Sequence, residues 1–304
     1  MIFRHQYEGG VWVDLEQPTE EEIREVAREF SISEPFEAEL LSPTPMPMAA
    51  VDSDRILLVL HFPESGAEGA TKNQEIDFVV GNRFIVTVRY EIIASLHHLK
   101  KILEAQELTH GSVPVTTDVL LEILFAHLYS SVRDHTNHAA TQLSRVERDM
   151  FDGHEHRTVR AISSVSRAFL NLEAALANQE EPLRRFLEAL EKKEFFGDSF
   201  AERAQRIFSN RTHVARLVKT HGAVAGELRE TNIALLSAKQ NEIIKILTVV
   251  SFIFLPLALI AKIFAMKATD MPFAEAPNGF WIIIGIMFVV ATLLTLFVLK
   301  KRWI

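Results

Sequence analysis

The chain has 304 residues, a formal net charge of −8 and no cysteine. The missing cysteines exclude disulfides, thiolate metal ligands and cysteine nucleophiles. The acidic balance speaks against a basic nucleic-acid surface, so no nucleic-acid partner is expected.

In chain order, Met1 to Glu8 lacks the apolar core of a signal peptide, which predicts a body made and kept in the cytoplasm. Gly9-Gly10 followed by Val11-Trp12-Val13-Asp14-Leu15 reads as a turn and a short strand. Pro18-Thr19-Glu20-Glu21-Glu22 reads as a helix start, with a capping residue and then acids that suit the positive helix end. Ile23, Val26, Ala27 and Phe30 continue at helical spacing. Pro43, Pro45 and Pro47 crowd a loop, and Arg55 to Phe62 is rich in strand formers. Glu75 to Val80 and Arg83 to Val88 flank Gly81-Asn82, a hairpin signal. Residues 1–91 are therefore expected to form a small α+β cytoplasmic domain with an antiparallel sheet.

Residues 92–198 read as long cytoplasmic helices, one ending at Asp152-Gly153 and one interrupted or kinked near Pro182. A third helix starts near Ser199 and meets no proline until Pro256. Run continuously to Met266 it would span ~100 Å at about 1.5 Å per residue. That length predicts a stalk that enters the membrane and packs against copies of itself. Gly222 and Gly226 within it are read as close-packing points or hinges.

Ile246 to Ala261 carries no charge, and apolar character resumes from Ile263 to Met266. Residues 243–266 are thus long enough for a first transmembrane helix, which needs about 20 residues. Residues 268–279 make a loop, residues 280–299 a second span, and 300–304 a basic tail. Lys300, Lys301 and Arg302 favour the cytoplasmic side, and the loop has no basic residue but carries Asp270 and Glu275. The expectation is a plasma (inner) membrane protein in the lipid bilayer with both termini cytoplasmic.

On the first span Asn241, Ile244, Thr248, Ser251, Leu255, Ala258 and Lys262 share one stripe. Polar atoms inside a membrane are costly unless they face protein or water. Two readings stay open: an aqueous pore lined by several copies, or helix–helix hydrogen bonding by small polar residues.

Lys245-Ile246-Leu247-Thr248, Phe254-Leu255-Pro256-Leu257 and Ile260-Ala261 resemble the first span of the CorA-type divalent-cation channels. Met271-Pro272 and Lys300-Lys301-Arg302-Trp303 fit the same pattern, as do Trp12-Val13-Asp14-Leu15, Pro18-Thr19 and the Arg83-to-Val88 strand upstream. The resemblance implies a homopentameric funnel with a pore helix from each subunit. It also implies passage of Mg²⁺, Co²⁺ or Ni²⁺, or of Zn²⁺ in the ZntB-like branch. The metal is then the transported species, and no cofactor is expected. The family places Gly-Met-Asn at the outer pore mouth; here the aligned triplet is Ala265-Met266-Lys267. An amide that accepts hydrogen bonds from metal-bound water is replaced by an ammonium that only donates. A cation ~6 Å from one such charge feels roughly 3 kcal/mol of repulsion at an effective dielectric of about 20. Asp270 and Glu275 are candidates to pair with these lysines. The alternative is a CorA architecture that has lost Mg²⁺ selectivity and passes another ion or acts as a membrane scaffold.

Asp134, His135 and His138 place metal-ligand types on one helix face, against the plainer reading of a solvated face. His154-Glu155-His156 lies in an expected turn, and His213 and His221 nearly share a face of the stalk. No phosphate loop or catalytic triad motif is present, so enzyme function is not expected.

Overall fold

The computed structural model describes residues 1–65, 71–110, 115–153, 155–266 and 278–301. It divides into two compact units, Met1–Arg229 and Glu230–Ile304. The first contains β1 (Ile2–Tyr7), β2 (Gly10–Glu16), α1 (Glu20–Glu29), α2 (Glu34–Leu40), β3 (Met48–Asp52), β4 (Arg55–Ser65), β5 (Thr71–Gly81) and β6 (Phe84–Arg89). Then come α3 (Ala94–His110), α4 (Thr117–Phe151) and α5 (Glu155–Lys192). Helix α6 (Phe200–Ala265) begins in the first unit and ends in the second, which also holds α7 (Gly279–Lys300).

The six strands are ordered β1-β2-β6-β5-β4-β3. The sheet is mixed rather than antiparallel as expected, because β2 pairs with β6 in parallel, Val11 opposite Phe84 and Glu16 opposite Arg89. Parallel pairing needs a long crossover, and α1 through β5 supplies it. The expected hairpin exists one residue later: Gly81 pairs with Phe84 across Asn82-Arg83. A side chain at Gly10 would lie 1.7 Å from the Arg83 carbonyl oxygen, so only glycine fits this close approach of two backbones.

Both faces of the sheet are covered, which explains why β4 runs Ile56-Leu57-Leu58-Val59-Leu60 without alternation. On one face Ile23, Val26, Ala27, Phe36 and Leu40 of α1 and α2 pack with Val13, Leu57, Val59, Val79, Val86 and Val88. On the other, Phe78 stacks on Phe125 of α4 at 5.2 Å and Phe62 meets Tyr129 at 5.6 Å. Thr19 caps α1 as expected: its Oγ1 accepts from the Glu22 amide, and the Glu22 carboxylate accepts from the Thr19 amide.

Gly153, at φ +88°, ends the α4 segment as expected. Helix α5 runs through Pro182 without interruption. In the first unit α6 buries Phe200, Ala204, Ile207, Arg211, Val214, Val218, Ala225 and Leu228. Their steps of mostly three and four residues form a packing seam. The Arg211 guanidinium donates to the Leu176 carbonyl and, at 2.8 Å, to Glu180 of α5. His221 stacks on Phe169 at 5.9 Å. Gly222 approaches Phe169, whereas Gly226 meets nothing within 4 Å, so no close contact in this chain requires it.

Candidate functional site

Two helices, α6 and α7, are long and apolar enough to cross a bilayer. Within the second unit each has one covered seam. On α6 it consists of Val249, Ile253, Pro256, Ile260 and Phe264, all buried or half-buried. On α7 it consists of Ile283, Met287, Val290, Leu294 and Val298. Both recur every three or four residues, which places each set on one helix face. Phe252 and Phe297 meet beside these seams, with ring centroids 6.2 Å apart.

The stripe read from the sequence lies on the other side of α6. At ~100° per residue, Asn241, Ile244, Thr248, Ser251, Leu255 and Lys262 point away from the covered seam. All six are exposed, and Ala258, at the edge of the stripe, is half-buried. Thr248 donates its hydroxyl proton to the Ile244 carbonyl at 2.7 Å, so its oxygen keeps only lone pairs for an outside partner. Lys262 is the single charged residue between Ile246 and Met266 and shares this open face. Ala265 ends α6, and Met266 follows it, exposed. Lys267, Asp270 and Glu275 lie outside the described residues, as does His154.

The candidate metal ligands on α4 do not come together. His135 donates from Nδ1 to the Pro63 carbonyl at 3.1 Å, and His138 accepts from the Gln142 amide at 3.0 Å. Asp134 is exposed. Among the described residues no group of three His, Cys, Asp or Glu side chains is placed to hold a metal ion. His213 lines a cavity of about 230 Å³ with Tyr129, Ser130, Arg133 and Asn210.

The basic start of α6 is neutralised within the chain. Arg203 is 2.7 Å from Asp118 of α4, and Arg203 and Arg206 both bond Glu122, at 2.9 and 2.6 Å. The hydrogen bond from Arg206, helped by Arg203, holds the Glu122 carboxyl below its ordinary range. Sequence reading missed these acids, although Asp118 and Glu122, four apart on one helix, offered a signal. It also missed a buried network around Arg89, which is fully enclosed with Asp14. Arg89 bonds Asp14 at 3.0 Å and also Glu16, and Lys100 contacts the same Asp14. Trp12 donates to Thr87, which donates to Asp14.

Two helices of this length and apolarity are what a membrane-spanning protein requires. A family model described as CorA-like Mg²⁺ transporter protein matches residues 7–302. The chain belongs to this family of membrane proteins that transport divalent cations. Its relatives include the cobalt/magnesium transport protein CorA of Methanocaldococcus jannaschii, 20% identical over 304 residues, covering 97% of this chain and 91% of that one. The CorA protein of Thermotoga maritima is 24% identical over 173 residues, 54% of this chain and 46% of its own. Among solved structures, the complete CorA magnesium transporter of M. jannaschii superimposes with a TM-score of 0.83 at 19% identity, covering 99% of this chain and 94% of that one. The cytoplasmic domain of ZntB from Vibrio parahaemolyticus reaches 0.60 at 14% identity, covering 75% of this chain and 89% of that domain.

Proposed function

We propose that this chain carries divalent metal cations, Mg²⁺, Co²⁺ or Ni²⁺ or else Zn²⁺, across the plasma membrane through a homopentameric pore. Both termini face the cytoplasm in this reading, and five copies of α6 line the path. The observation that carries it is the open face of α6 opposite its seam. A single chain leaves Asn241 and Ser251 without cover, and such groups need water or protein around them; Thr248, whose proton its own helix takes, adds open lone pairs on the same face. Five copies supply that cover. The Asn241 amide oxygen and the two hydroxyl oxygens then accept hydrogen bonds from a hydrated ion, while Leu255 forms an apolar constriction. Ala265, Met266 and Lys267 make the outer mouth, with Asp270 and Glu275 beside it.

Lys262 favours a second reading, a pore of this architecture that has lost Mg²⁺ selectivity, or a scaffold. A divalent ion ~6 Å from one fixed positive charge is opposed by about 5 kcal/mol at an effective dielectric of about 20. The test is flux of Mg²⁺, Zn²⁺ and Cl⁻ into proteoliposomes, comparing the natural chain with Lys262→Gly combined with Lys267→Asn. The first reading expects metal flux that rises by about 100-fold or more in the double variant, as the barrier predicts. Chloride flux lost in the double variant supports the second reading. Strong Mg²⁺ flux that the substitutions leave unchanged removes the lysine barrier. No flux of any ion supports the scaffold, and a monomeric mass in mild detergent ends every pore reading.

A further inference from the structure

In the first unit, the α2 side of the sheet holds a group of ionisable side chains. Glu75 and Asp77 are two residues apart on β5 and therefore share a face. His61 on β4 is paired opposite Glu75. Tyr90 follows β6. Over them passes the loop at residues 41–47, which joins α2 to β3 and holds three prolines.

One loop residue is tied down completely. The Thr44 amide donates to both Glu75 oxygens, at 2.9 and 2.8 Å, and its hydroxyl donates to Glu75 Oε1 at 3.0 Å. Its carbonyl accepts from His61 Nε2 at 3.0 Å, and the same nitrogen lies 3.3 Å from Glu75 Oε2. The loop is thus held by one carboxylate and one imidazole.

Asp77 lies beside this clamp, fully buried. The single hydroxyl proton of Tyr90 is shared between the Leu40 carbonyl at the end of α2, at 2.9 Å, and Asp77 Oδ2, at 3.3 Å. Oδ1 receives no donor. Asp77 and Glu75 stand two apart on one face of β5, and no cation is paired with Asp77 among the described contacts. Two neighbouring carboxylates resist both being ionised, and the surroundings decide which one keeps the proton. Among the described residues, the charges that bear on Asp77 are Glu75 on its own strand and Glu39 on α2, both negative, and Tyr90 beside it is neutral. Burial first, and then those charges, push its carboxyl well above the ordinary range. Burial pushes Glu75 up, but hydrogen bonds from His61 and Thr44 outweigh it and hold Glu75 below its ordinary range. Glu75 is the anion and Asp77 the acid.

We propose that Asp77, Glu75 and His61 form a proton-linked latch, in which the proton on Asp77 lets Glu75 keep the negative charge that pins Thr44 and the 41–47 loop to the sheet. Removing that proton sets two carboxylates against each other beneath α2, and Glu75 gives up Thr44. The latch opens as pH rises through the Asp77 transition and again, in acid, as Glu75 protonates. It acts in the first unit, so it stands whatever ion the membrane helices pass.

The test is hydrogen–deuterium exchange of the full chain in detergent micelles between about pH 6 and 10, corrected for intrinsic rates, in peptides covering 41–47. Protection of the Thr44 amide should fall by about tenfold or more toward the alkaline end. Asp77→Asn, which is uncharged at every pH, should flatten that dependence. Glu75→Gln, which removes the charge, should lower protection throughout. Infrared spectra at neutral pH should show a protonated carboxyl band that Asp77→Asn abolishes. Uniform protection of the natural chain across the range would overturn the proposal. So would the absence of the infrared band, which needs no variant to fold.

Discussion

The two units place their polar atoms by opposite rules. In Met1–Arg229, charge is taken inside and paired: Asp14, Arg89 and Lys100 are all buried. Hydroxyls reach across elements, as when Tyr7 donates to Thr117 and Tyr129 to Gln179. In Glu230–Ile304, large apolar side chains such as Leu247, Phe254, Leu259, Phe288 and Leu293 stand outside. The threonine hydroxyls there bond their own helix, Thr248 to Ile244, Thr292 to Phe288 and Thr295 to Ala291, as Thr136, Thr141, Thr212 and Thr220 also do on the helices of the first unit. The difference is one of solvent. A unit folded in water can bury a charge only by giving it a partner. A unit folded in hydrocarbon must satisfy its polar groups locally, because lipid offers no partner.

The most severe way to break this contrast is to remove one partner from the buried network. Arg89→Ala leaves Asp14 and Lys100 enclosed without the guanidinium that bridges Asp14 and Glu16. Breaking a buried pair from one side costs about 3–5 kcal/mol, because a charge is left uncompensated. Trp12 reports the site directly through Thr87. Urea unfolding followed by Trp12 fluorescence, in a chain with Trp281→Phe and Trp303→Phe, should show a loss of that size. A loss below about 1 kcal/mol would mean that water reaches these groups and the network is not sealed.

That network also marks where the sequence stopped being legible. Asp14, Glu16, Arg89 and Lys100 stand at strand ends and on a helix, where charged residues usually face water. Only the parallel pairing of β2 with β6 brings them together. Periodicity reports which face a residue occupies but not which strand lies next to it, so the sheet was expected to be antiparallel. The edge strand β1 was missed because Arg4 and Gln6 alternate with Phe3 and His5 and offer no continuous apolar run. Local signals fared better. The turn after Gly81, the cap at Thr19 and the glycine break at Gly153 depend only on neighbouring residues. The open face of α6 was equally legible, because one helix carries it whole. The seam opposite was not, because it is defined by α7. The spacing of Asp118 and Glu122 marks a shared acidic face on α4, but that this face meets the arginines of α6 is decided by tertiary packing.

A smaller perturbation tests the water-facing rule at the surface of the first unit. Thr19 is exposed, and its hydroxyl serves only to cap α1 with Glu22. Thr19→Ala should cost about 1 kcal/mol in the same urea titration, as cap removal does elsewhere. Thr19→Ser should restore nearly all of it, since the capping oxygen returns. A neutral Thr19→Ala would mean that water replaces the cap without loss.

The smallest expected effect separates structure from transport in the second unit. Thr248 and Thr295 make the same bond to the carbonyl four residues back, at 2.7 and 2.8 Å, and both are exposed. Thr248 lies on the open stripe of α6, whereas Thr295 lies on α7. In both, valine keeps the shape and removes a hydroxyl that its own helix already satisfies, so stability should change by no more than about 0.5 kcal/mol. Equal stability makes any difference in ion flux informative. If the α6 face conducts, Thr248→Val removes an acceptor from the path and slows flux in proteoliposomes. Thr295→Val has no ion to meet and leaves flux unchanged. Equal flux from the two variants would deny the α6 face its special role, and the open stripe would then serve only to bind a neighbouring helix.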